Sequence, residues 1–475
     1  INISGGTDRA SFFASMGYLD DQGIIDNSSY KRITANLKSD YQAKKWLKVG
    51  GSIMFTNVVS SVAQGYTTPA NNSGNIFAFT SLMAPIYPVY IRDENGKIII
   101  DKYGMKTYDY GKGEMGLERP YMSAANPLQE ISLNDDSTTA NVFNLHGFVD
   151  IIILPELKVT INASDYLRES RGNYYINKLY GQNASNNGML RKTSYRYNNL
   201  NFQQLINYSN KFGKHSVEGL LGHETESRRT AFLRGDKNGV FASDLHELNT
   251  TITLVDAQSY SNNYITEGYF IRGQYDYNQR YFFTGSFRRD ASSRFPTENR
   301  WGNFWSIGGA WLISNEAFLN VPWIDMLKFK LNYGQQGNDA IGNFRYVSTY
   351  TVSDVGGEPA ANFMNIGNRD ITWETNANFN TGIEFELFDR RLSGSIEYYN
   401  RTTLDLLFQR PVPESAGYRT YWANIGDMRN HGVEIDLRGT VVRRKDLNVT
   451  LFANFTSNTS KILKLPVDRI TEDDF

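Results

Sequence analysis

Five histidines, no cysteine and a scatter of carboxylates are what this 475-residue chain offers to chemistry. His223 precedes Glu224 and stands near Glu226, residue types on which acid–base and triad mechanisms draw. The surrounding sequence supplies no further member of a triad, and glutamates on an alternating run are water-facing charges. His215 and His223 are too far apart along one extended run to share a metal. The absence of cysteine excludes disulfides, thiolate nucleophiles and thiolate metal sites. Asp93-Glu94-Asn95-Gly96-Lys97 lacks the recurring acidic oxygens of a calcium loop. Flanked by Val89-Tyr90-Ile91 and Ile98-Ile99-Ile100, it predicts a β-hairpin with an Asn-Gly turn. These residues point to a chain that binds without catalysing, with no cofactor and no metal.

The chain's abundant groups are amides and rings, with 30 Tyr and 28 Phe. Asn141-Val142-Phe143-Asn144-Leu145-His146 and Asn198-Asn199-Leu200-Asn201-Phe202-Gln203-Gln204 are amide-rich and alternate with apolar side chains. Such groups hydrogen-bond to and stack on sugars or peptides, and they equally make a hydrated wall. The elements that carry them alternate with a period of two, so every second side chain shares a face. Leu447, Val449, Leu451, Ala453 and Phe455 oppose Asn448, Thr450, Phe452, Asn454 and Thr456. A strand between lipid and a watery lumen has this pattern, and so does a strand of a soluble sandwich.

Connection lengths separate the two. Tight turns are predicted at Ala43-Lys44-Lys45, Leu154-Pro155-Glu156, Phe212-Gly213-Lys214, Asn278-Gln279-Arg280, Asp389-Arg390-Arg391 and Arg443-Arg444-Lys445-Asp446, with a longer one from Asn315 to Asp325. The intervening connections, 58–138, 168–197, 228–264, 336–371 and 405–428, are long, which is improbable inside a compact soluble domain. Long loops on one rim and tight turns on the other are the asymmetry of outer-membrane barrels. About fifteen strands are predicted, from Arg9–Leu19 to one ending at Asn458, in an antiparallel up-and-down meander. No run of about eighteen apolar residues is present, so any crossing of a membrane must use strands. Tyr41, Trp46, Tyr281, Trp305 and Trp323 are predicted at strand ends as interface aromatics. With 49 basic against 50 acidic residues, net charge gives no argument for nucleic acid.

An odd strand count places the ends of the sheet on opposite rims, and the first residues lack a signal peptide. Both observations predict a fragment of a larger barrel. Phe475, after Thr471-Glu472-Asp473-Asp474, is not expected to be a C-terminal assembly signal because its context does not alternate.

Ile3-Ser4-Gly5-Gly6-Thr7-Asp8-Arg9, Gly17-Tyr18-Leu19-Asp20-Asp21, Arg288-Arg289-Asp290-Ala291-Ser292-Ser293-Arg294-Phe295, Asn299-Arg300-Trp301-Gly302 and Leu331-Asn332-Tyr333-Gly334 carry a resemblance. So do Ile371-Thr372-Trp373-Glu374, Tyr398-Tyr399-Asn400-Arg401, Pro411-Val412-Pro413 and Asn430-His431-Gly432-Val433-Glu434. Together, in this order, they resemble the SusC family of TonB-dependent outer-membrane transporters of Bacteroidetes. The resemblance implies a barrel of about twenty-two strands, with residues 1–475 a partial barrel domain and the plug, TonB box and final strands outside it. It also implies TonB, a SusD-like surface lipoprotein as lid, an oligosaccharide or oligopeptide nutrient, and a dimer of transporter–lid pairs. Tyr174, Tyr175, Tyr180, Tyr195 and Tyr197, expected in a loop, are then candidates for nutrient or lid contact. A passive porin, and a siderophore or vitamin receptor without a lid, are the rival functions.

Overall fold

The computed structural model describes residues 1–63, 75–123, 125–181, 183–413, 415 and 417–464. Among these, the chain begins with β1 (Asn2–Gly6), β2 (Ala10–Gln22), β3 (Ser29–Lys44) and β4 (Leu47–Ser61), followed by α1 (Ile76–Leu82) and α2 (Pro127–Leu133). Then come β5 (Asp135–Leu154), β6 (Leu157–Ile176), β7 (Met189–Phe212), β8 (His215–Val240), β9 (Thr251–Tyr277), β10 (Tyr281–Ser292), β11 (Trp301–Leu312) and β12 (Ile324–Asn338). The remainder is β13 (Thr349–Val355), β14 (Glu358–Asn365), β15 (Glu374–Leu387), β16 (Leu392–Leu404), β17 (Leu407–Pro411), β18 (Thr420–Asn424), β19 (Asp427–Arg443) and β20 (Asn448–Lys464).

Sixteen of the strands form one antiparallel sheet in chain order, and β13–β14 and β17–β18 are separate hairpins inserted between its members. The predicted series of about fifteen misses β1. That strand is five residues long, ends in Gly5-Gly6 and shows no alternation, yet pairs with β2 from Asn2↔Ser15 to Gly6↔Ser11. A Cβ at Gly5 would stand 2.8 Å from the Phe12 ring, so any larger residue there requires that ring to shift. With sixteen strands the count is even and both edges of the sheet finish on the long-loop rim, so the parity argument loses its premise.

All the expected tight turns form, and one more joins β1 to β2. Two of the long connections are much shorter than expected, because strands run on where both faces are polar and alternation disappears. Only 177–188 separates β6 from β7, and only 241–250 separates β8 from β9. Likewise β20 continues past Asn458 to Lys464, while Phe475 lies outside the described residues.

Register assigns the faces. Ile206, Leu221, Ile271, Phe287 and Trp305 stand in one row across β7 to β11, all outward and exposed. One residue along, Phe270, Arg288 and Phe304 form the inward row. An exposed apolar outer face over a polar inner face is the inverse of a soluble sandwich and marks the outer face as lipid-facing. Trp46, Tyr281, Trp311 and Trp323 gather at the tight-turn end, Tyr281 stacking on Trp311 at 6.3 Å. Trp305 departs from its expected position: it sits within the apolar row of β11 rather than at the strand end. Among the described residues, buried apolar clusters sit where loops fold back, as with Phe295, Ile341 and Ile371 beneath Trp373 and Trp422.

Ile307 lies midway along β11, outward and exposed. Ile307→Arg is expected to cost about 2–4 kcal/mol in reversible folding into lipid vesicles, and Asn332→Arg, on the inward face, well under that.

Candidate functional site

The inward face divides into two walls. Across β7 to β10, carboxylates and cations neutralise each other. Glu224 accepts from Asn201 Nδ2 at 2.8 Å and pairs with Arg288 at 3.3 Å, and Arg288 Nε meets Asp290 at 2.7 Å. Glu226 pairs with Arg228 and accepts from Asn199 Nδ2, both at 2.8 Å. On β12, Lys330 bridges Glu384 at 2.7 Å and Glu397 at 2.5 Å. Charge so compensated gives little net field for drawing ions through.

The second wall, on β15, β16, β19 and β20, is dominated by amides. Asn378, Asn380, Tyr399, Arg401, Asn430, Glu434 and Asn458 line a recess of about 520 Å³. Arg401 Nε donates to Asn378 Oδ1 at 2.9 Å, Asn380 Nδ2 donates to Asn332 Oδ1 at 2.9 Å, and the Tyr399 hydroxyl donates to Asn458 Oδ1 at 3.0 Å. Each amide offers donors and acceptors together, which suits a neutral polar chain such as a glycan or a peptide backbone. Sequence reasoning passed over this wall. Its signal was the period-two run Asn376-Ala377-Asn378-Phe379-Asn380, which puts three asparagines on one face. The amide-rich segments singled out from sequence are split between faces. Asn199 and Asn201 point inward, whereas Asn141 pairs outward with Asn57 at 2.8 Å and Asn198 donates outward to Asp165.

The five candidate tyrosines do not share a loop. Tyr174 and Tyr175 belong to β6, Tyr195 and Tyr197 to β7, and Tyr180 alone lies on the connection. Tyr174, Tyr195 and Tyr197 share the inward face; Arg191 sits over Tyr174 at 5.4 Å, and Tyr197 meets Tyr166 edge-on at 5.9 Å. Tyr175 points the other way, is 2% exposed, and stacks on His246 at 4.1 Å over Leu190 and Val240. It supports the rim and is closed to a ligand. His223 also faces outward, between Gln204 at 2.5 Å and Glu267 at 3.2 Å, away from inward Glu224 and Glu226. Among the described residues, no group of three or more metal-ligating side chains converges.

In the connection between β4 and β5, residues 75–123 and 125–134 form a folded module. Asp93 Oδ1 accepts from the N–H groups of Asn95 and Lys97, and Gly96 takes φ +78° to close the expected hairpin. Arg119 and Asp109 are buried 3.7 Å apart, and Arg119 also donates to the Ala125 carbonyl at 3.0 Å. Asn27 Nδ2 donates to the Ile131 carbonyl at 2.5 Å, tying the module to the rim. Tyr180 joins it to the 177–188 connection, donating to the Asp101 carboxylate and stacking on Tyr110 at 6.3 Å. That hydrogen bond holds the Asp101 carboxyl below its ordinary range, and burial together with Asp101 pushes the Tyr180 phenol up to about 12.

A family model described as "TonB dependent receptor-like, beta-barrel" matches residues 103–473. The TonB-dependent receptor P39 of Formosa agariphila is 31% identical, over 98% of this chain and 42% of that protein. The TonB-dependent receptor SusC of Bacteroides thetaiotaomicron is 26% identical, over 98% and 47%. A solved structure of the RagAB peptide transporter superposes with a TM-score of 0.81 at 27% identity, over 98% of this chain and 51% of that one. The chain spans about half the length of the curated relatives it matches.

Asp101, with its carboxyl lowered, contributes stability that is present above its unfolded value near 4 and lost as pH falls through its folded value. Tyr180, raised, contributes stability that is full below its unfolded value near 10 and lost as pH rises through about 12. Limited proteolysis of the 75–134 module is therefore expected to be slowest between these limits. Tyr180→Phe is expected to speed cleavage at neutral pH and to raise the Asp101 carboxyl in a carboxyl-resolved titration.

Proposed function

The chain belongs to the TonB-dependent receptor-like β-barrel family of outer-membrane barrels, and from that premise we propose that it forms the wall of a SusC-like importer for an oligosaccharide or oligopeptide. Residues 1–475 are then one stretch of a larger barrel domain. The observation that carries the substrate class is the amide-lined recess, whose groups match uncharged polar oligomers. The peptide transported by RagAB, which this chain resembles at 27% identity, supports the oligopeptide arm.

A plug, TonB and a SusD-like lid lipoprotein complete the reading, with affinity set at the mouth and release driven by TonB. There is no chemistry on the cargo in this scheme. The lid would rest on the long-loop rim, where the β13–β14 hairpin exposes Tyr350, Val352, Val355, Phe363 and Met364. Apolar side chains exposed on a loop hairpin suit a protein partner better than water.

Uptake of labelled oligosaccharide and oligopeptide pools by cells carrying the full-length transporter and its lid tests the reading. Uptake of one pool is expected, abolished when TonB is deleted. Uptake that persists without TonB would overturn the importer in favour of a passive porin. Replacing Asn378, Asn380 and Asn430 together with Ala is expected to weaken uptake roughly tenfold, about the worth of one or two hydrogen bonds. Val352→Asp with Val355→Asp is expected to release the lid in pull-down while the barrel stays folded.

A further inference from the structure

The amide-lined recess holds two opposite charges that do not meet. Arg401 on β16 and Glu434 on β19 both line it, both are exposed, and neither has an ion-pair partner among the described residues. In the register of β16 with β19, Arg401 stands opposite Asn430, Tyr399 opposite Gly432 and Glu397 opposite Glu434, so all six share the inward face. From the Asn430 position to Glu434 is four residues of strand, a separation of about 13 Å. Arg401 Nε is used, donating to Asn378 Oδ1 at 2.9 Å, while its Nη groups have no partner among the described residues.

The Glu434 end carries an excess of negative charge. Glu434 lies directly opposite Glu397, and like charges so placed repel. Lys330 already serves Glu397 at 2.5 Å and Glu384 at 2.7 Å, and Lys328 meets Glu384 at 3.2 Å, so these three carboxylates share two ammonium groups. Asp436, the next inward residue, adds a fourth carboxylate; Arg438 beyond it sits over the Phe452 ring at 5.4 Å and pairs with neither Asp436 nor Glu434. Between the two ends the floor is bare. A Cβ at Gly432 would stand 1.9 Å from the Ser457 carbonyl oxygen and 2.8 Å from the Tyr399 hydroxyl, which itself rests on Asn458 Oδ1 at 3.0 Å.

We propose that this recess reads both ends of a short zwitterionic oligopeptide, its carboxylate on Arg401 and its ammonium on Glu434. The inference rests on the importer reading and narrows its cargo. A guanidinium fork matches a carboxylate in pairs, and an ammonium between Glu434 and Glu397 relieves their repulsion. An extended peptide of about four residues spans about 13 Å, and its neutral backbone finds donors and acceptors in the intervening amides. A neutral glycan meets the amides and neither charge. An acidic glycan satisfies Arg401 and leaves the carboxylates unanswered.

Four pools of random tetrapeptides, with free ends, N-acetylated, C-amidated or capped at both ends, are offered with an oligosaccharide pool to the full-length transporter and its lid, and the retained molecules are counted by mass spectrometry. The free pool is expected to be retained about tenfold more than either singly capped pool, the worth of one charge-assisted contact. Arg401→Gln is expected to erase the difference made by amidation and to keep that made by acetylation; Glu434→Gln is expected to do the converse, and Arg401→Lys to keep most of both. Heat-dependent gel mobility reports that each variant is folded, and if one is not, the capped pools on the unaltered protein decide. Capped and free pools retained alike, or folded glutamine variants that keep both differences, overturn the proposal. Retention of oligosaccharide alone overturns it and leaves the importer reading standing, whereas retention of neither class overturns both.

Discussion

Backbone groups in lipid have no water to bond, so every N–H and C=O at membrane depth must find a partner in the protein. This constraint accounts for the sheet. Sixteen strands pair in chain order as one antiparallel sheet, with register shifts confined to the neighbourhood of strand ends, and the irregular segments, helices and extra hairpins sit beyond the strand ends. Because the backbone is satisfied within the sheet, side chains are left to divide by face. Leucine, isoleucine and aromatic rings are exposed outward, and the Glu224–Arg288 pair and the amides around Asn378 and Asn430 are collected inward.

That division explains why the hydrophobic clusters are small. A soluble domain of this length buries one large core, whereas here the apolar surface stays on the outside for lipid. Among the described residues, packed clusters appear where a loop is held against the rim, around Phe295 and Ile371 or Tyr175 and Leu190. The same logic distinguishes the two inner walls. Paired charges on β7 to β10 stabilise neighbouring strands and offer little to a neutral cargo, while the amides of β15 to β20 keep donors and acceptors turned to the lumen.

The fold was largely legible in the sequence because a half-lipid, half-water strand writes its environment into alternate positions. Leu447, Val449 and Leu451 could be assigned to one face from sequence alone. Where both faces meet water the signal disappears, which is why Arg191 to Tyr197 looked like loop and is strand. β1 was illegible for another reason, being short and glycine-ended, with its place fixed only by pairing to β2. The site was less legible than the fold. Tyr175 and Tyr174 are adjacent in sequence and opposite in role, and only register with β7 assigns one to the lumen and the other beneath the 241–250 connection. The asparagine wall was written plainly at Asn376 to Asn380, but its partners Asn430 and Asn458 come from strands further along the chain.

The central claim is that alternate residues of one strand face lipid and lumen. Residues 1–475 contain no cysteine, so in the full-length protein, with any cysteine outside them replaced by serine, single cysteines carrying a fluorophore can be placed at Phe283, Thr284, Ser286, Phe287, Leu331 and Asn332 in vesicles. Brominated acyl chains are predicted to quench the labels at Phe283, Phe287 and Leu331 and to spare those at Thr284, Ser286 and Asn332. Equal quenching at neighbouring positions, or none at any, would contradict the account.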